Sequence, residues 1–591
     1  MNERTLRANE PKWTILRSHW PLFLFAISIL SFVAFRSTQA VFLNYDGMAM
    51  AEAAWRYSQG LGLTSSLFVE HSQDISEPAI KKVLTWWAPM APITVGTLVK
   101  WGMSLSEAHT AYYTFWLLVL WSGWFFITAR YLADWLCSHN FVALVLAFSP
   151  WFFTPQRDID EIAFTALIPW TAISVTLLSQ GKMLSGCLLT GLLTFACIIF
   201  CNQAVGLAFV TMMIVLAVGK GALLKLTAAI SVGVAIFAGL FVKKLLSAST
   251  PEYITPTFES ISGLLSLAFS YANNIGVAPL LAVTDFILPM FVTSHLTEIH
   301  NKGFLPGLIT LLFFLCLLCF ITLKIKKNSR LQDTRAVLVL YLTALVCLWP
   351  FFILTSDLFL PGEQRLGNEK PYYLQAVPLV LFLMPLALLC FFDNSHLRFL
   401  NKSAAVFLIY IIVFTISGLN ANISRARENI FGYNFKKTQW MKHNDWLIQL
   451  QDKDYDLSVL ESQPPGIVFS SGTAKMALAN KNSKHEIRPV PLRSYWRKAY
   501  SSRPVTLYFI LEEGRPPKPL GILKATVKDR SEYSPPLKEL FALPGWRMIE
   551  GEVKFYRAHD MKGITCRNMR IYRADLPAGW QGKSLYHKCH H

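Results

Sequence analysis

The sequence predicts an α-helical polytopic membrane protein carrying a C-terminal α/β domain outside the bilayer. Three observations lead there. Of 591 residues, 53% are hydrophobic and only 16% charged, where an ordinary soluble chain carries about 25% charged residues. Mean hydropathy is +0.38. The apolar residues come in runs of roughly 17 to 25, the length that crosses a bilayer as a helix, separated by short basic or turn-rich segments. At about residue 422 the composition turns polar and Pro-punctuated. Strand-like runs follow, such as Gly466-Ile467-Val468-Phe469-Ser470 and Val505-Thr506-Leu507-Tyr508-Phe509-Ile510.

Taken in order, residues 1–19 are basic and predict a cytoplasmic N-terminus. The run from Trp20 to Val33 imitates a signal peptide. Arg36 interrupts its end and no small-x-small site follows, so it predicts an uncleaved first span over about 20–42. The transmembrane domain extends to 421, and its first outer loop covers 43–107. Within that loop, Ile93 to Met103 is apolar but short, which suits an interfacial helix. Spans follow at about 108–129, 140–152, 162–179, 183–201, 205–219 and 222–245. Lys182, Lys220 and Lys225 mark their inner turns. Residues 246–302 form a long outer segment. The basic loop Lys324, Lys326, Lys327, Arg330 and Arg335 then belongs in the cytoplasm, between spans at about 303–323 and 335–357. Two more, at about 373–392 and 404–420, bring the count to about eleven and leave residues 422–591 outside. In that tail, Trp446 to Leu450 reads as part of a helix.

The formal charge of +18 does not make a nucleic-acid binder, because Lys and Arg flank apolar runs as the inner ends of membrane helices require. Eight of the ten Cys lie in or beside apolar runs and read as packing residues, while Cys566 and Cys589 stand in the polar tail, where a disulfide is open. No Walker-type or dinucleotide glycine pattern is present.

Charged residues tight against apolar runs are expensive, so clusters there point to function. The first is Asn44-Tyr45-Asp46-Gly47, followed by Glu52 and Arg56 at i, i+4 spacing and a stop at Gly60 and Gly62. This pattern predicts a short helix lying on the membrane surface with a carboxylate at its front. The second is Arg157-Asp158-Ile159-Asp160-Glu161. His295, Glu298 and His300 are metal-ligand types but an incomplete set. Trp86-Trp87 reads as an interface anchor ahead of a sugar-stacking platform, and Lys243-Lys244 as a contact to lipid headgroups ahead of a carrier phosphate.

The order of these features resembles a family. A first span precedes Tyr-Asp-x-x-x-x-Ala-Glu-x-x-x-Arg (Tyr45, Asp46, Ala51, Glu52, Arg56). Then come a Pro-bearing interfacial helix (Pro89 to Trp101) and the connection from Ser149-Pro150 to Glu161. Lys370-Pro371-Tyr372-Tyr373, with Pro378, matches an element that opens a late helix. The chain is similar over about 20–420 to the GT-C membrane glycosyltransferases, in particular the protein mannosyltransferase and lipid A aminoarabinose transferase-like group. It departs at Gly47, where a second acid is usual, and at Ala88, where a His or Lys is usual.

The resemblance implies transfer of a sugar from a polyprenyl-phosphate donor to a lipid, glycan or protein acceptor. A phosphate leaves without a general acid, so one carboxylate acting as base suffices, and Asp46 is the candidate. Asp158 and Glu161 would orient the acceptor or hold a divalent ion; their oxygens suit Mg or Mn, and no metal is assigned. Lys81, Lys82, Arg157 and Arg365, with Tyr372 and Tyr373, are the candidates for binding substrate and offsetting charge on the departing phosphate. Short turns and a compact tail predict a bacterial inner membrane rather than the endoplasmic reticulum, with membrane lipids as partners and the tail periplasmic or extracellular. The competing classes are a flippase for a lipid-linked saccharide and a catalytically silent assembly partner.

Overall fold

A computed structural model describes residues 41–43, 45–83, 88–131, 159–201, 204–219, 221–246, 316, 337–345, 448–450, 455–456, 458–470, 484–491, 493–511, 537–557 and 565–582. The described helices of the first half are α1 (Tyr45–Ser58), α2 (Met90–Lys100), α3 (Leu105–Tyr131) and α4 (Ile159–Ser179). They continue with α5 (Met183–Phe200), α6 (Ala204–Val218) and α7 (Ala222–Leu246). Three apolar segments, Ile162–Ser179, Met183–Phe200 and Ala222–Leu246, are long enough to cross a membrane. The first is 89% buried and the last only 28%, so α4 is the central post of the bundle and α7 lies at its rim.

Side-chain contacts fix the directions of these helices. Trp170 on α4 donates its indole N–H to the carbonyl of Val119 on α3 at 2.9 Å. A Cβ on Gly123 would lie only 2.6 Å from Pro169, so that crossing needs a glycine. The ring of Phe200, at the end of α5, meets Tyr112 and Trp116 at 6.5 and 4.9 Å. Gly186, near the start of α5, lies against Leu178, near the end of α4. α5 therefore runs antiparallel to α4, and its end meets the first half of α3. α3 and α4 consequently begin at the same end of the bundle. Deeper in, Tyr341 of the helical segment 337–345 hydrogen-bonds Thr171 and Thr211, both at 2.9 Å, and satisfies its hydroxyl between α4 and α6.

The C-terminal region holds a six-stranded sheet in the order β5-β10-β11-β9-β6-β7. Its strands are β5 (Tyr455–Asp456), β6 (Ile467–Ser470), β7 (Glu486–Pro489), β9 (Val505–Leu511), β10 (Arg547–Arg557) and β11 (Thr565–Leu576). β6 pairs in parallel with β7 and β9, the other pairings of the sheet are antiparallel, and the short strand β8 (Tyr500–Ser501) pairs separately with β12 (Trp580–Gln581). Phe469, Trp496, Phe509 and Leu540 fill the core on one face. Both strand-like runs read in the sequence are strands here.

Three expectations change. Residues Val41–Leu43 form a strand, β1, instead of the end of a helix. Its partner β4 is Ile448–Leu450, in the stretch read as helical, with Phe42 opposite Gln449. Apolar three-residue pieces carry no period, so a pairing partner some 400 residues away decides their state. The third concerns α1, whose small-residue face is packed inside the protein instead of lying open. Met48, Ala49, Met50, Ala51, Ala53 and Ala54 are all at most 1% exposed and belong to the bundle core. A helix this rich in small residues has no wide polar face to offer water, and close packing is what its composition suits. Gly96 on α2 makes the approach possible, because a Cβ there would sit 2.4 Å from the carbonyl oxygen of Ala54. The first span as far as residue 40, the connection 132–158, the long outer segment and the late spans beyond 345 lie outside the described residues.

Candidate active site

The loop after β1 begins with α1, whose second residue is Asp46. The helix stops at Gly60 and Gly62, which adopt φ of +76° and +73°. The chain then returns as a hairpin of β2 (Thr64–Glu70) and β3 (Ile80–Val83), in which Val69 opposes Lys81. Lys81 and Lys82 are thus consecutive residues of β3.

The i, i+4 pair foreseen on α1 serves the hairpin. Glu52 is 1% exposed. Its carboxylate accepts the Ser65 hydroxyl at 2.7 Å and the Ser66 backbone N–H at 2.9 Å. Arg56 donates from Nε to the Thr64 hydroxyl at 2.8 Å. Burial pushes the Arg56 guanidinium below its ordinary value, and the nearby Glu52 charge opposes that shift. A buried carboxylate with three charge-assisted contacts is a rigid joint. It fixes the hairpin to the helix that carries Asp46.

A second joint ties residues 71–79 to the C-terminal domain. Ile75 is fully buried in the domain core beside Phe469 and Trp496. Its N–H bonds the carbonyl of Tyr500, whose own N–H bonds Gln73. Asp74 accepts from the Ser76 hydroxyl at 2.6 Å and from the backbone N–H of Ser502 at 3.1 Å. Burial alone would raise the Asp74 carboxyl, but bonds from Ser502 and Ser76 outweigh it and hold the group down at about 2. Arg488, 1% exposed, donates to the carbonyls of Ile75 and Glu77 and pairs with Glu486 at 2.7 Å. Glu486 in turn accepts the N–H of Ala79 at 3.0 Å, one residue before β3. The Tyr495 hydroxyl donates to the carbonyl of Ser72 at 2.8 Å, and burial raises its pKa. His71 lies against the Tyr495 ring with centroids 5.1 Å apart. Burial, then the Arg488 charge, pull its imidazole down to about 4.

Local sequence pattern does not reveal this joint. Asp74-Ile75-Ser76 does carry the short Asx-turn chemistry that the structure uses. The alternation Glu486-Ile487-Arg488 likewise puts two charges on one side of a strand. Neither signal names a partner more than 400 residues away.

Glu161 is the third residue of α4, inside the helix and not in the connection before it. Its level on the bundle follows from the Trp170–Val119 contact. Stepping back about ten residues on each helix, at 1.5 Å per residue, brings the first turn of α4 level with His109 on α3. His109 is fully buried, and neither ring nitrogen has a partner among the described residues. β1, which leads directly into α1, packs against both α1 and α3, and α2 packs against α1, α3 and α4. The elements carrying Asp46, His109 and Glu161 therefore belong to one packed unit.

Asp158, Arg157, Arg365, Tyr372 and Tyr373 lie outside the described residues, as do Trp86, Trp87, His295, Glu298, His300 and Cys589. Cys566 is on β11 opposite Tyr556, and Lys243 and Lys244 are in the last turn of α7. Among the described residues no group of three or more His, Cys, Asp and Glu gathers as a metal site. No protein-family model matches the chain, and no curated protein matches it.

Proposed function

We propose that the chain is a membrane glycosyltransferase of the GT-C type, with about eleven spans, that works at the outer face of a bacterial inner membrane. In this reading Asp46 takes the proton from an acceptor hydroxyl or amine, and the freed lone pair attacks the anomeric carbon. The bond from that carbon to the polyprenyl phosphate breaks, and the phosphate leaves with the electron pair. The configuration inverts. Lys81 and Lys82 offset charge on the phosphate, with Arg157 and Arg365 as further cations. Glu161 and Asp158 orient the acceptor, which is a lipid, glycan or protein.

The observation that carries the reading is the bonding of α1, which carries Asp46, to the hairpin that carries Lys81 and Lys82. The acid stands at the head of a buried helix, where the helix field favours a carboxylate. The lysines ride a hairpin bonded to that same helix through Glu52. A base and phosphate-binding cations held in one rigid unit are what a displacement between two bound substrates requires. The contacts of residues 71–79 and of β1 with the C-terminal region support placing loop and tail in one compartment, as an odd number of spans demands.

The test is transfer in reconstituted vesicles from a radiolabelled sugar on polyprenyl phosphate. Wild type is expected to transfer. Asp46→Asn is expected to insert and fold normally but to lose at least about a thousandfold in rate, the order of magnitude for losing an essential base. Normal turnover by the variant removes Asp46 as base. Carrier movement across the bilayer without transfer makes the protein a flippase.

A further inference from the structure

His109 stands four residues after the start of α3, on the face that also carries Tyr112, Tyr113, Trp116 and Leu120, all buried in the bundle core. An imidazole has a donor and an acceptor nitrogen in its neutral form. Burying both without a hydrogen bond is costly, and native folds keep such groups rare. A Phe or Leu would fill this place without that cost, so packing does not account for His109. Its place on the bundle is informative. It lies about one turn inside the end where α3 and α4 begin, level with the first turn of α4 that holds Glu161. In the glycosyltransferase reading this end of α3 faces the outer membrane surface, where the phosphate of a lipid-linked substrate lies.

We propose that His109 is a substrate-binding residue whose ring N–H donates to a phosphate oxygen of the lipid-linked substrate when that substrate enters between α3 and α4. This rests on the glycosyltransferase reading for the identity of the lipid phosphate. The residue does no bond-making. It positions the phosphate, which engages a ring nitrogen that no described residue engages.

The test uses the full chain in detergent with a sugar-free polyprenyl phosphate as probe, read by tryptophan fluorescence, alongside thermal unfolding of the same samples. His109→Phe is expected to bind the probe about tenfold more weakly or worse and to unfold at a higher temperature, because it removes two nitrogens without a partner among the described residues and keeps an aromatic ring. His109→Gln, which retains a donor, is expected to recover most of the affinity. In the transfer assay His109→Phe raises the KM for donor much more than it lowers kcat. Unchanged probe binding by His109→Phe overturns the proposal while leaving the glycosyltransferase reading standing, and so does a fall in unfolding temperature in both variants, which marks a structural histidine. Failure of wild type to bind the probe at all overturns both.

Discussion

The loop that begins at α1 is held at two places, and the two holds differ in kind. The first is local. Glu52 and Arg56 grip Ser65, Ser66 and Thr64, and the partners are 13 or 14 residues apart for Glu52 and 8 for Arg56. The second reaches across the chain, since Arg488 and the carbonyl of Ile75 are 413 residues apart. The first joins the hairpin to the helix bundle and the second joins it to the α/β domain. Lys81 and Lys82 lie just past the second joint. The α/β domain, a separate module by sequence, therefore holds one end of the hairpin that carries Lys81 and Lys82.

Arg488→Ala breaks the distant joint most severely. It leaves Glu486 without its cation and two carbonyls without their donor, and removing one partner of a buried pair costs about 3–5 kcal/mol. Hydrogen exchange is expected to rise at residues 71–80 and 500–502, while the amide of Ser66 stays protected.

Acid loosens the same joint through His71. Its neighbours are the Arg488 cation and the Tyr495 ring. Its pKa in the docked state lies below the free value, so docking is at full strength above about pH 6.5. It weakens as pH falls toward about 4, where the ring charges beside Arg488. The shift from 6.5 to about 4 corresponds to at most about 3 kcal/mol. Asp74 extends the loss at lower pH, as its carboxylate is protonated between its ordinary 3.8 and about 2. Exchange at Ile75, corrected for the intrinsic pH effect, is expected to rise from pH 7 to pH 4.5, and His71→Gln to flatten that rise. An equal rise in His71→Gln would place the acid sensitivity elsewhere.

Glu52→Gln is the smallest of the three, at about 1–3 kcal/mol for a buried charge-assisted acceptor made neutral. It sharpens the comparison by acting on the other side. Exchange is expected to rise at Ser65 and Ser66 with Ile75 unaffected. The two variants should therefore loosen opposite ends of one hairpin.

What was legible in the sequence follows the range of the forces involved. The helices were legible because hydropathy and length act within one segment. The span expected at 183–201 is Met183–Phe200, and the one at 222–245 is Ala222–Leu246. β6 and β9 were legible as apolar runs. Glu52 and Arg56 stood out, but their partners did not, because i, i+4 spacing suggests a bond to each other and the structure gives both to the hairpin. Asp74, Arg488 and His109 were illegible for separate reasons. The first two gain meaning only from a distant partner. His109 gains it from having none among the described residues, which no single sequence can reveal.

In the proposed reaction Asp46 is the single base of one displacement, and the stereochemistry of the product reports on that step. A donor of known anomeric configuration, turned over by the protein in vesicles, would be analysed by NMR of the product before any equilibration. One product with inverted configuration at the anomeric carbon is expected, with free polyprenyl phosphate in equal amount. A product with retained configuration would rule out the single displacement, because retention requires a second displacement and a covalent sugar–enzyme intermediate.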